Sequence, residues 1–190
     1  MTEPSEHKTF YSSGQLREHE HIQNGKLHGE RKEWYENGQL WVQEYYQDGI
    51  LDGEFKIWYE NGQLFKLGSY HKARREGRYK MWHENGTILT LVFYRNGLLN
   101  GEFQLWHKNG VRWEHTFYKN DRMEGERKMW DSDGQVCSHS FRRNDTIIDG
   151  RFTWKKKHIF LKMREFLYSR FHVSEIRSFL ILDLISLFGK

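Results

Sequence analysis

The sequence predicts a mainly β protein: an elongated, single-layer antiparallel sheet of 24-residue β-hairpin repeats with a short α-helical C-terminus. Three observations predict it. Tryptophan stands at Trp34, Trp58, Trp82, Trp106, Trp130 and Trp154, one every 24 residues without drift. Glycine keeps the same interval through Gly14, Gly38, Gly62, Gly86, Gly110 and Gly134, again through Gly29, Gly53, Gly77, Gly101 and Gly125, and in part through Gly25, Gly49 and Gly97. Asn-Gly, the strongest short-range hairpin signal, recurs at residues 37–38, 61–62, 85–86 and 109–110. A unit this small cannot bury its apolar face alone, so it must stack on copies of itself.

Composition agrees with a sheet, since aromatic residues make up 16% of the chain and there is a single proline. Residues 1–8 read as a short polar tail without the basic and apolar regions of a secretory signal. Residues 9–154 form the array. In the type unit, residues 53–76, a first strand runs to Tyr59, the chain turns at Asn61-Gly62, and a second strand covers residues 64–70 before a longer return. A two-residue type I′ turn sets Glu60 opposite Gln63 and, two steps outward, Trp58 opposite Phe65. The same register pairs Trp34 with Trp41, Trp82 with Leu89, Trp106 with Trp113 and Trp130 with Cys137, and only the first unit departs, with Phe10 facing Arg17. On this reading the tryptophan face is the core-like one. The opposite face carries Tyr35, Tyr59, His83 and His107 in one row, with Leu40, Leu64 and Ile88 beside them. Strands lie about 4.8 Å apart, so each repeat advances roughly 10 Å and six advance roughly 60 Å, leaving two sheet edges to be protected.

The pattern G-E-x-K-x-W-Y-E-N-G-Q-L, which residues 29–40 and 53–64 follow, resembles the MORN-repeat variant family, found in bacterial antitoxin-like proteins and in repeat proteins of large DNA viruses. The resemblance covers roughly residues 10–154 and is specific as a repeat signature. It implies a scaffold or adaptor, with an affinity for membrane lipids, and supplies no catalytic residues. The third glycine column departs at Ala73, Asp121 and Asp145, and the last unit slips by one residue to Gly150.

After Trp154 the period stops. In residues 155–190, Ile159, Phe160, Met163, Phe166, Leu167 and Phe171 follow helical spacing, and Ser174-Glu175 opens a second, more apolar helix that ends at Gly189. This segment is expected to cap the last hairpins. It is also basic: residues 151–190 hold nine Lys or Arg against three Asp or Glu, while residues 1–150 hold twenty-one against twenty-three. The sequence pI of about 9.0 therefore describes a basic tail on a near-neutral array. An amphipathic basic helix can instead lie on an anionic membrane surface, with Lys155, Lys156, Lys157, Lys162 and Arg164 as the candidate lipid contacts. The longest apolar stretch, interrupted by Asp183, is too short to span a bilayer.

No catalytic, cofactor or metal site is expected. Cys137 is the only cysteine, which excludes an intrachain disulfide and fits a reducing, intracellular compartment with a cytoplasmic location. Its place opposite Trp130 is one of packing rather than of a thiol nucleophile served by His139. No glycine follows the phosphate-loop order. Of the eleven histidines, His115 and His139 lie one repeat apart, roughly 10 Å, too far to share an ion without a third group, and His19 and His21 share one strand face. Lys and Arg beside the indoles alternate with Glu30, Glu54, Glu102 and Glu126, a balance that argues against nucleic acid. The expected role is a non-catalytic scaffold for an unknown protein partner, with Tyr35, Tyr59, His83 and His107 as candidate contacts. The alternatives are a membrane-peripheral adaptor using the C-terminal helix and an antitoxin-like neutraliser of another protein.

Overall fold

The computed structural model describes residues 3–152, and every regular element among them is a strand of one open antiparallel sheet. In chain order the first eight strands are β1 (Ser5–Phe10), β2 (Leu16–Gln23), β3 (Lys26–Trp34), β4 (Leu40–Gln47), β5 (Ile50–Leu51), β6 (Gly53–Trp58), β7 (Leu64–His71) and β8 (Arg74–Arg75). The remainder are β9 (Gly77–Trp82), β10 (Ile88–Arg95), β11 (Leu98–Trp106), β12 (Arg112–Lys119), β13 (Arg122–Met123), β14 (Gly125–Trp130), β15 (Val136–Arg143) and β16 (Thr146–Phe152). Neighbours in sequence are neighbours in space from β1 to β16, and the short β5, β8 and β13 pair with β4, β7 and β12. The helices expected in residues 155–190, and Trp154, lie outside the described residues. At the other end the segment read as a tail is partly sheet, because β1 starts at Ser5 and pairs with β2. Its Glu6, His7 and Lys8 gave no apolar alternation to read, yet the turn at Gly14 needs a strand before it, and charge suits an edge strand.

The hairpin register agrees with the sequence reading along the strand bodies and departs at the tips. Ile57 faces Lys66, Lys56 faces Leu67 and Phe55 faces Gly68, but Trp58 then faces Leu64 rather than Phe65. The Asn-Gly turn is the cause. The Tyr59 N–H donates to the Gln63 carbonyl (2.8 Å) and the Gly62 N–H donates to the Tyr59 carbonyl (2.9 Å), so three residues stand between the closing pair. Gly62 takes the left-handed conformation, φ 82°, as the last residue of a three-residue loop, and the residue left over is accommodated as a bulge at Phe65. The same shift sets Trp34 against Leu40, Trp82 against Ile88, Trp106 against Arg112 and Trp130 against Val136. Leu40, Leu64 and Ile88 therefore stand on the tryptophan face. The type I′ turns sit at the returns instead, where both residues have positive φ: Asn24-Gly25 (51° and 72°), Asp48-Gly49 (52° and 81°) and Asn96-Gly97 (52° and 85°).

The buried core lies on the face opposite the indoles, which corrects the expectation that the tryptophans form it. Phe55, Tyr79, Val92, Tyr94, Leu99, Phe103, Tyr118 and Met123 make one buried cluster, while the described Trp34, Trp58, Trp82, Trp106 and Trp130 are half-buried. Alternation puts Phe55 and Ile57 on one side of β6 and Glu54, Lys56 and Trp58 on the other. Rings of successive strands interlock: Phe55 lies 5.2 Å from Tyr79, Tyr79 5.4 Å from Tyr94 and Phe103 5.4 Å from Tyr118, centroid to centroid. Gly68, which falls outside the repeating glycine columns, is explained by this packing. A Cβ there would stand 2.4 Å from the Tyr79 ring and 2.7 Å from Phe55.

Candidate interaction surface

Tyr35, Tyr59, His83 and His107 form the row that the sequence places on one face, and each is tied to the next repeat. The Tyr35 hydroxyl donates to the Trp58 carbonyl (2.8 Å) and that of Tyr59 to the Trp82 carbonyl (2.9 Å). His83 Nε2 lies 3.3 Å from the Trp106 carbonyl and His107 Nε2 3.1 Å from that of Trp130, so in both rings Nε2 carries the proton and donates. Tyr11 begins the series by donating to the Trp34 carbonyl at 2.7 Å. Tyr and His interchange here because both put a donor at the end of a flat ring. Burial raises the Tyr35 phenol above its ordinary range, with the Glu60 carboxylate adding to it. The residues that sequence reasoning set against the tryptophans pack on this row instead: Trp41 lies 5.6 Å from Tyr35, Phe65 4.9 Å from Tyr59 and Trp113 5.6 Å from His107. In the first unit the Arg17 guanidinium stands 5.8 Å over Tyr11, which accounts for the one apparent misfit of the pattern.

The asparagines of the Asn-Gly turns form a second seam. Asn61 Oδ1 accepts from the Gln63 N–H (2.9 Å) while its Nδ2 donates to the Glu84 carbonyl of the next turn (3.3 Å). Asn37, Asn85 and Asn109 repeat the outward bond to the carbonyls of Glu60, Lys108 and Ser132. The signal was visible as a recurring Asn, but a single hairpin explains it locally and hides the second bond.

The indole face is mixed in character. Directly opposed pairs put Glu102 with Phe117 and Gln104 with His115 on β11 and β12, and Glu126 with Phe141 and Lys128 with His139 on β14 and β15. His115 lies 2.8 Å from Glu102 and His139 2.7 Å from Glu126. Each imidazole also lies against the phenyl ring two residues on, 5.0 Å from Phe117 and 5.3 Å from Phe141. Both phenyl rings are 40% exposed, one repeat apart, with exposed Val136 nearby in sequence. The Arg112 guanidinium and the Lys128 ammonium each stand 5.8 Å over Trp130.

On the core face Arg–Glu pairs stand toward both ends, while in the middle Arg75 and Lys66 lie over the Tyr79 ring. Arg31 touches Glu18, lies 2.7 Å from Glu33, 3.3 Å from Glu44 and 3.7 Å from Glu20. Burial alone would disfavour its charge, but the carboxylates of Glu18, Glu33 and Glu44 outweigh that and raise its pKa further. Four repeats on, Arg127 donates from Nε to Glu114 at 2.6 Å in a buried pair.

Burial pushes the Cys137 thiol above its usual range, with the Asp131 carboxylate adding to it, so it stays protonated and a poor nucleophile. The candidate lipid contacts Lys155, Lys156, Lys157, Lys162 and Arg164 lie outside the described residues, and no helix among the described residues is long and apolar enough to cross a membrane.

The MORN repeat variant pattern matches residues 5–24, 27–48, 51–72, 75–96 and 99–120, five consecutive units. The chain belongs to the MORN repeat variant family. Repeats of this family are commonly protein- or membrane-interaction scaffolds. The matched units begin in β1, in agreement with the strand at Ser5. No curated protein matches the chain.

Proposed function

We propose that this MORN repeat protein is a non-catalytic scaffold that holds a partner protein against the indole face of its fifth and sixth hairpins. One observation carries the reading: Phe117 and Phe141, each 40% exposed, repeat at one period on that face. Large exposed rings beside charged and hydrogen-bonding groups are what protein interfaces use as anchors. Their spacing allows one partner to engage two repeats with the same chemistry. Tyr35, Tyr59, His83 and His107 are better suited to joining repeats than to receiving a partner, because their polar ends already meet backbone carbonyls and His83 is only 3% exposed.

The test is affinity purification from source cells with quantitative mass spectrometry, comparing the parent chain with the Phe117→Ser/Phe141→Ser double variant and with Glu84→Ser, an exposed turn change. A specific partner should fall by about tenfold or more with the double variant and stay with Glu84→Ser, while circular dichroism shows both folded. Equal recovery from all three chains would remove the assignment. Flotation of the full chain on phosphatidylserine vesicles, lost when residues 155–190 are removed, would favour a lipid surface as the primary partner instead.

A further inference from the structure

Among the described residues, three metal-ligating side chains meet at the first hairpin, on the indole face and away from Phe117 and Phe141. Glu6 of β1 faces His21 of β2, and His19 lies two residues before it on the same side. One ligand atom from each of Glu6, His19 and His21 lies within 4.8 Å of the others. His19 Nε2 stands 3.1 Å from Glu6 Oε2 and His21 Nε2 3.7 Å from Glu6 Oε1. Donors bound to one tetrahedral zinc at its usual bond lengths stand about 3.3 Å apart, so both separations match a shared ion after small side-chain movements.

The second ring nitrogen of His21 makes the case chemical as well as geometric. His21 Nδ1 lies 2.7 Å from the Glu30 carbonyl. A carbonyl only accepts, so Nδ1 carries the proton, which leaves Nε2, on the side of the Glu6 carboxylate, as the nitrogen that can give its lone pair to a metal. Histidines that bind metals are held in this way, with the far nitrogen donating to a carbonyl or carboxylate. Lys8 competes for the same carboxylate, its Nζ 3.0 Å from Glu6 Oε2, but it sits on an exposed edge strand from which it can swing away.

The repeats supply an internal comparison. At the positions equivalent to Glu6, His19 and His21 the fifth unit has Glu102, His115 and Phe117, and the sixth has Glu126, His139 and Phe141. A cross-strand Glu–His pair thus recurs in three of the six units, and of these three only the first adds a second imidazole. We propose that Glu6, His19 and His21 form a binding site for a late first-row divalent cation, zinc being the test ion, that staples the edge strand β1 to β2. Two imidazoles and one carboxylate suit such an ion, whereas magnesium and calcium prefer oxygen alone. Three protein ligands leave a coordination position open.

Isothermal titration of the untagged full-length chain with zinc chloride tests it. The parent chain should bind one zinc with saturation at these ligands. His21→Phe installs the residue that later repeats carry at that place, and His19→Gln installs the one carried as Gln43, so both changes have precedent within the sheet. Each should weaken zinc binding by about tenfold or more, while His139→Gln leaves it unaltered. Absence of saturable binding by the parent chain, or His21→Phe and His19→Gln binding as tightly as the parent, overturns the site.

Discussion

At the scale of the residue, Asn61 serves two repeats at once, because its carbamoyl group accepts within its own turn and donates to the next. An aspartate keeps the first bond and loses the second, and it sets a carboxylate against the Glu84 carbonyl. Asn61→Asp should lower stability by about 1 kcal/mol, read as a reduced midpoint in urea unfolding. In the sixth hairpin Asp133 stands where the second to fifth have Asn, and the Gln135 N–H donates to Asp131 Oδ1 instead (2.8 Å). The ring row follows the same logic: Tyr and His share a position because the backbone carbonyl opposite asks only for a donor.

At the scale of the element, the return turns show three solutions to one demand for positive φ. Glycine meets it in three of them without strain. In the last two, Asp121 and Asp145 accept from the N–H groups of Leu99 (2.6 Å) and Met123 (2.8 Å), a bond that offsets the backbone cost. Ala73, at φ 60°, has neither advantage, although its N–H donates to the Leu51 carbonyl at 2.8 Å as those of Gly49 and Gly97 do to the Leu27 and Arg75 carbonyls. A left-handed conformation costs an L-residue roughly 1–2 kcal/mol. Ala73→Gly should therefore stabilise the protein by about 1 kcal/mol after the added flexibility of the unfolded chain is deducted, raising the thermal midpoint; a lower midpoint would show that the turn is not strained.

At the scale of the whole molecule, the core face changes character along the array. Position by position, Arg31, Phe55, Tyr79, Phe103 and Arg127 occupy one column, and Glu18, Val42, Lys66, Thr90 and Glu114 occupy a column set diagonally to it, two residues before the directly opposed Glu20 of the first pair and Val92 of the fourth. Aromatic packing holds the middle, and an Arg–Glu pair brackets it at each end. The first bracket is unbalanced, one guanidinium among four carboxylates. Arg31→Gln should cost roughly 2 kcal/mol at low ionic strength, since it leaves partly buried acids facing one another. The loss should shrink in about 1 M salt, where the screening length is about 3 Å, and chemical unfolding at two salt concentrations measures it. An unchanged difference would mean that the acids do not repel across this end.

The repeat, its hairpin unit and the pairing of strand bodies such as Ile57 with Lys66 were legible in the sequence by itself, because a fixed 24-residue period and a turn dipeptide bound the possible registers to a few. The partition of side chains between two faces was legible along the strand bodies, since alternation follows from backbone geometry alone, but not next to the turns, where the bulge moved Leu40, Leu64 and Ile88 to the tryptophan face. Three things needed the tertiary structure. Asn-Gly serves both a two-residue and a three-residue loop, so only the observed closing bonds moved Trp58 from Phe65 to Leu64. Alternation divides the faces but does not say which is covered, and the core proved to lie with Phe55 rather than with the indoles. Glu6 comes within reach of His19 and His21 only when β1 pairs as a strand. Spacing within a segment is a local property of the chain, whereas burial and cross-strand proximity arise only when separate segments are placed side by side.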